Sequence, residues 1–268
     1  MLYLSFCLFC NSYDIVPLMI FSVIYLVRFL FYHQLERMKD NLPQYIDMIN
    51  SGNKTIVDAL YELTEKEKSF KKEKAIKACV MTAGFPFHKT LDDYDFSFQP
   101  GINKKEIEDY MTLRFIDNSE NILFIGSSGT GKSHLATSIG IEAARHRYSV
   151  YFITCQNLID ELMEAEKENR LEKRMKAINR YKLLIVDEIG YINFNKESAN
   201  LFFQLVSQRY EKKSTIITTN RNLSKWTEIF SDPIIANAIL DRLLHHCHIV
   251  NIVGPSYRTK DLMDMLED

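Results

Sequence analysis

Apolar positions along this chain fall into two patterns. Short, largely apolar runs occur at residues 121–125, 149–153, 182–186, 214–218 and 248–253. Runs of that length, bounded by polar or turn residues, read as strands buried on both faces. Between them lie longer stretches with apolar residues every three or four positions, which predict helices at 102–115, 156–179 and 197–210. A helix start is also expected from Leu135 onward. Upstream, residues 35–83 are helical in pattern, with Ile56, Ala59, Leu60 and Leu63 forming one stripe. Strands alternating with helices predict an α/β domain: a parallel sheet flanked by helices, preceded by a small helical N-terminal domain. In such a sheet the ligand sits beyond the carboxyl ends of the strands.

The expected boundaries are a hydrophobic leader at 1–33, a helical N-terminal DNA- or partner-binding domain at 34–86, and the α/β domain at 87–268. Gly84-Phe85-Pro86 breaks the helical pattern. Residues 87–101 follow as an aromatic linker that lies on the core, with Phe87, Tyr94, Phe96 and Phe98 packed rather than reading an adenine. The leader is the odd segment. Residues 15–32 are apolar except for Pro17, Ser22 and Arg28, close to the ~18–20 residues that span a bilayer. It lacks the basic start and small-residue cleavage site of a signal peptide. A membrane anchor, a partner-facing hairpin and a start-site artefact compete, with translation beginning near Met38 in the last. The artefact is preferred, because the remainder reads as a complete soluble, cytoplasmic protein.

Composition narrows the classes. Of 268 residues, 25% are charged and the formal net charge is −2, so no global basic field exists and nucleic-acid binding must use local patches. Cys7 and Cys10 form a C-x-x-C without a second pair; Cys79, Cys155 and Cys247 read as reduced thiols.

The chemistry centres on GSSGTGKS: Gly126, Ser127, Ser128, Gly129, Thr130, Gly131, Lys132 and Ser133, with His134 adjoining. Strand, glycine loop and helix follow in the order a phosphate loop requires. The glycines let backbone N–H groups turn toward phosphate oxygens, and the helix N-terminus adds its dipole. Lys132 suits the β- and γ-phosphates, and the Ser133 hydroxyl suits Mg²⁺. ATP and Mg²⁺ are therefore the expected ligands. The strand LLIVDE ends in Asp187, suited to hold Mg²⁺, and Glu188, suited to polarise the attacking water. Asn220, closing Thr218-Thr219-Asn220, is expected to orient that water. Arg242 and Arg258 each offer a guanidinium for γ-phosphate charge. The tract His245-His246-Cys247-His248 has zinc-ligand residue types. Two of its members run into a strand, however, and no second ligand set stands nearby in sequence, so zinc is not the preferred reading. Two lysine- and arginine-rich stretches remain: Lys66, Lys68, Lys71, Lys72, Lys74 and Lys77, and then Lys167, Arg170, Lys173 and Arg174. For the first, a solvated helix face is preferred over a phosphate-contacting one; the second is a candidate DNA path.

With these residues assembled, the chain resembles the IstB-like transposition helper ATPases, relatives of DnaC-type helicase loaders in the AAA+ superfamily. The resemblance rests on TLDDYDFSFQP (90–100), NILFIGSSGTGKSHLATSIGIEAA (121–144), LLIVDEIGY (183–191), TTN (218–220) and DRLLHHCHIVNIVGPSYR (241–258). It implies an AAA+ P-loop NTPase domain, with Lys132 and Ser133 as Walker A and Asp187 and Glu188 as Walker B. It also implies Asn220 as sensor 1, Arg242 as an arginine finger for a neighbouring subunit, and Arg258 as sensor 2. Only residues 259–268 follow Arg258, so the helical lid is expected to be short or absent. The implied activity is Mg-dependent ATP hydrolysis coupled to assembly on double-stranded DNA. The implied partners are a cognate transposase and further copies of the chain, with no membrane unless the leader is native. The alternative is a replicative helicase loader.

Overall fold

The computed structural model describes residues 34–259. The leader and the segment where a lid was expected lie outside the described residues. The chain divides into two compact units, Met1–Ala75 and Ile76–Asp268.

In the first unit, α1 (Glu36–Asn50) and α2 (Ile56–Thr82, which runs on into the second unit) are joined by a turn at Gly52. Tyr45, Ala59 and Leu63 form its small core. Buried Glu67 accepts a hydrogen bond from the Met38 N–H at 2.9 Å, satisfying a donor of the first turn of α1. Within this unit the lysine-rich face is partly engaged: Lys74 pairs with Glu36, Lys68 with Glu65, and Lys66 lies over the Tyr45 ring.

The second unit carries a five-stranded sheet. Its strands are β1 (Asn121–Gly126), β2 (Val150–Thr154), β3 (Leu183–Ile189), β4 (Ser214–Thr219) and β5 (Cys247–Ile252). Their order is β2-β3-β4-β1-β5, and every pairing is parallel. The two-residue alternation is hidden inside these largely apolar runs, because both faces are covered. Leu123, Leu184, Val186 and Ile217 face one core; Ile122, Phe124, Ile185 and Ile216 face the other.

The helices are α3 (Lys104–Tyr110), α4 (Arg114–Asp117), α5 (Lys132–Arg145), α6 (Cys155–Lys167), α7 (Leu171–Ile178), α8 (Lys196–Arg209), α9 (Trp226–Ile229) and α10 (Pro233–Leu244). Two expected helices are broken. The 102–115 stretch divides after Tyr110, where α3 ends, and Leu113, with φ of 65°, sets the start of α4. The 156–179 stretch divides at Asn169, with φ of 55°; Asn tolerates the left-handed region that continues no right-handed helix. Among the described residues, no helix is long and apolar enough to cross a membrane.

Most consequential for the site is an irregularity between β3 and β4. Val186 pairs with Ile217 and Ile189 with Thr219, so Asp187 and Glu188 together oppose the single residue Thr218. This is a β-bulge, and it re-aims side chains that strict alternation would send to opposite faces.

Candidate functional site

The loop after β1 needs its glycines for two different reasons. Gly129 and Gly131 have φ of 81° and 91°, where a side chain is strained. They are also crowded: a Cβ on Gly131 would lie 2.5 Å from the Tyr94 ring, and one on Gly129 1.9 Å from Ser256 Oγ. The loop is thus wedged between the aromatic linker and the segment leaving β5. Tyr94 Oη donates to the Thr130 carbonyl at 3.1 Å, and the Tyr257 N–H donates to the Gly129 carbonyl at 2.9 Å. Burial pushes the Tyr94 hydroxyl up to about 12, so it stays a donor at neutral pH.

Lys132 opens α5 almost fully buried, its Nζ donating to the Ser127 carbonyl at 2.7 Å. Burial lowers its pKa, Asp187 opposing that shift and Arg258 adding to it. Ser133 Oγ donates to Asp187 Oδ1 at 2.8 Å, and Thr218 Oγ1 donates to the same oxygen at 2.5 Å. Thr218 Oγ1 also accepts from the Glu188 N–H at 2.9 Å. One buried hydroxyl therefore ties both acids of the bulge, holding Glu188 at a φ of 68°. Asp187 is buried, whereas the Glu188 side chain is exposed and lines the cavity beside Ser128, Gly129, Thr130, Gly131, Lys132 and Ser133. Gly126 packs close against β5, a Cβ there lying 2.4 Å from the Ile252 carbonyl, and the Ser127 carbonyl is the one that accepts from Lys132.

Asn220 also lines the cavity, and its Oδ1 is buried without a hydrogen-bond partner. Gly190 makes room for it, since a Cβ there would stand 2.7 Å from that oxygen. Gln99 is the second cavity-wall amide with an unmatched oxygen; its Nε2 donates to the Pro255 carbonyl at 2.7 Å. His134 is held by the linker: its Nε2 lies 2.9 Å from the Thr90 carbonyl, and its ring meets Tyr94 and Phe87 edge-on. Burial lowers its pKa below 6.5, favouring the neutral ring.

The two arginines separate. Arg258 sits in the short 3₁₀ turn Tyr257–Thr259 and lines the cavity with Lys132. Arg242 is on α10, outside the cavity wall; it donates to the Ala238 carbonyl at 3.0 Å and lies over the Phe203 ring at 4.7 Å. In the charged stretch, half-buried Arg174 is bonded to Glu161 and the Tyr151 hydroxyl, while Lys167 and Lys173 are exposed. The histidine tract splits too. His248 pairs with Glu120 at 2.8 Å, Cys247 is pushed up to about 12 by burial, and His245 and His246 stand exposed near Glu211.

The residues alone point to no nucleotide-site role for Thr218, Tyr94, Gln99 or Tyr257. Thr218 lies within TTN, and Tyr94 and Gln99 within the linker motif, but their partners are far away in sequence. The arrangement fits a nucleoside triphosphate with Mg²⁺. Hard oxygen donors, Ser133 and Asp187, stand together at the base of the loop, and unmatched amide oxygens line the same cavity.

The sequence profile described as IstB-like ATP binding protein matches residues 30–264. The ATP-binding protein of insertion sequence IS232 from Bacillus thuringiensis subsp. berliner is 50% identical over 230 residues, 86% of this chain and 92% of that one. That of IS5376 from Geobacillus stearothermophilus is 41% identical over 84% of this chain and 89% of its own. That of IS21 from Pseudomonas aeruginosa is 42% identical over 74% of each. Among solved structures, AMPPCP-bound DnaA of Aquifex aeolicus superposes with a TM-score of 0.54 at 20% identity, covering 69% of this chain and 56% of that one. The DnaC helicase loader gives 0.51 at 21% identity, covering 65% of this chain and 98% of its own. Both likenesses are of fold: the AAA+ P-loop arrangement expected above.

Proposed function

This chain belongs to the IstB-like ATP binding protein family of insertion sequences, and from that premise we propose that it binds and hydrolyses ATP to assist a transposase on DNA. The observation that carries the reading is the bulge opposite Thr218. It keeps Asp187 bonded to Ser133 of the phosphate loop while Glu188 projects into the cavity. Ser133 and Asp187 would hold Mg²⁺, which supplies charge neutralisation on phosphate oxygens. Lys132 would exchange the Ser127 carbonyl for a phosphate. Glu188 would take the proton of the attacking water, oriented by Asn220. Arg258 supports the γ-phosphate from within the subunit.

Arg242 suits a different place. It lies outside its own cavity wall on α10, which agrees with a finger offered to the nucleotide of a neighbouring copy. ATP-dependent self-association is therefore part of the reading, as is sequence-tolerant duplex binding by local lysines. Lys167 and Lys173 are the better candidates in their stretch, because Arg174 is already paired with Glu161. The helical segment 34–86 is assigned to DNA and transposase contact. A helicase-loader role is less favoured: the likeness to the loader is of fold, while the relatives at 41–50% identity are insertion-sequence proteins.

Fluorescent-nucleotide titration and phosphate release test the site. Lys132→Ala should lose ATP binding, and Glu188→Gln should retain it while hydrolysis slows. Equal ATP affinity in wild type and Lys132→Ala would sink the assignment. ATP-dependent duplex binding should weaken steeply with salt; an unchanged salt slope in Lys167→Ala/Lys173→Ala would remove that stretch from the DNA path.

A further inference from the structure

The ends of α8 and α10 bring together side chains that the nucleotide site does not use. Glu211 follows α8, and His245 and His246 follow α10. Each offers one ligand atom, and the three atoms lie within 4.8 Å of one another. His245 Nδ1 and His246 Nε2 are each 3.5 Å from the same oxygen, Glu211 Oε1.

That spacing is within reach of one metal ion. Ligands ~2.0–2.1 Å from a tetrahedral ion are separated by about 3.3–3.4 Å, and cis ligands of an octahedral ion by only about 2.8–3.0 Å. Both nitrogen–oxygen edges lie near the tetrahedral value and the nitrogen–nitrogen edge is within 4.8 Å, so small side-chain rotations bring all three atoms onto one ion. Two imidazoles and one carboxylate are also a donor set that suits Zn²⁺. We propose that Glu211, His245 and His246 form a binding site for one Zn²⁺ ion, with water completing the tetrahedron on the exposed side.

The site is independent of the nucleotide pocket, none of its ligands lining that cavity. It supplies what the histidine tract lacked in sequence, a ligand from a distant element. Cys247 and His248 take no part, since Cys247 is turned into protein and His248 is paired with Glu120. The bound ion links the C-terminal end of α8 to that of α10. Arg242 lies one turn before His245, so the ion also stiffens the helix end that bears it. The Tyr210 hydroxyl lies 2.7 Å from His245 Nδ1 and competes with the metal for that lone pair. It is a competitor here and not a fourth ligand.

The test uses the full chain, stripped of metal and free of nucleotide, titrated calorimetrically with Zn²⁺ alone and spectroscopically with Co²⁺ alone. Wild type should take up one Zn²⁺ that His245→Ala/His246→Ala does not, and Co²⁺ should give the intense visible absorption of a tetrahedral site. Glu211→Gln should weaken Zn²⁺ binding by roughly ten-fold or more. Tyr210→Phe should bind at least as tightly as wild type. Zn²⁺ should raise the melting temperature of wild type and leave the double variant unmoved. All the substituted ligand side chains are exposed, so metal-free melting temperatures should agree and show that each variant folds. Equal Zn²⁺ stoichiometry and affinity in wild type and the double variant would overturn the proposal. So would loss of binding in Tyr210→Phe, which would make the phenol a ligand.

Discussion

Thr218→Val removes one hydroxyl and almost no volume, and the structure makes that hydroxyl responsible for two bonds. Its donation to Asp187 Oδ1 at 2.5 Å is a hydrogen bond to a carboxylate, a class worth about 1.5–3 kcal/mol. Its acceptance from the Glu188 N–H at 2.9 Å leaves, once lost, an unmatched donor costing about 1–3 kcal/mol. Ser133 still serves Asp187, and the added methyl is buried at a fully enclosed position, so both terms fall toward their lower ends. The expected loss is about 3 kcal/mol. Trp226, the one tryptophan of the chain and fully buried in the second unit, reports urea unfolding of that unit. Hydrolysis should suffer beyond stability, because the Glu188 backbone is no longer held in its left-handed conformation. Misplacement of a catalytic group by an ångström is worth on the order of 10²-fold. Thr218→Ser, which keeps both bonds, should recover most of the stability and the rate. A Thr218→Val protein within about 0.5 kcal/mol of wild type, or hydrolysing ATP normally, would refute the role given to the bulge.

Arg242→Ala and Glu188→Gln should each be nearly inactive alone and partly recover when mixed, since an arginine given in trans is worth ~10³–10⁵ in rate; near-normal hydrolysis by Arg242→Ala alone would exclude the finger. His134 has a folded pKa lowered below its ordinary 6.5, so its contribution to stability is present above 6.5 and lost as pH falls through the lowered value. Urea titrations from neutral pH downward should show that loss in wild type and a flatter profile in His134→Gln. Arg209 is buried and donates to the carbonyls of Tyr181 and Ser214 and to Thr215 Oγ1; burial pushes it down to about 9, which leaves it charged at neutral pH. Arg209→Met should cost about 3 kcal/mol by orphaning those acceptors, yet leave hydrolysis by folded protein near normal because the nucleotide cavity is lined by other residues. Equal unfolding midpoints would refute it.

The strands and the phosphate loop were legible in the residues because their causes are local. An apolar run of five or six residues can be satisfied only by burial on both sides. The spacing of Gly126, Gly131, Lys132 and Ser133 is a property of one turn of chain and the helix behind it. Side-chain alternation inside those runs was invisible, since both faces are apolar and only packing shows which residue meets which core. The helix breaks at Leu113 and Asn169 were missed for a related reason: periodicity continues across a single left-handed residue, and tertiary packing chooses where the chain turns. At the site, sequence supplied Asp187 and Glu188 as neighbours but not the bulge, which depends on register with β4. Thr218 gains its role from a strand that lies some thirty residues before it, and Tyr94 from a loop that follows it by a similar distance. Arg258 reaches the cavity because the Tyr257 N–H is caught by the Gly129 carbonyl. Glu211 completes a ligand set with His245 and His246 only after α8 and α10 have packed. Composition and spacing along the chain decide which chemistry is available, while contacts between distant segments decide which side chains meet, because those contacts come into being only when the sheet closes.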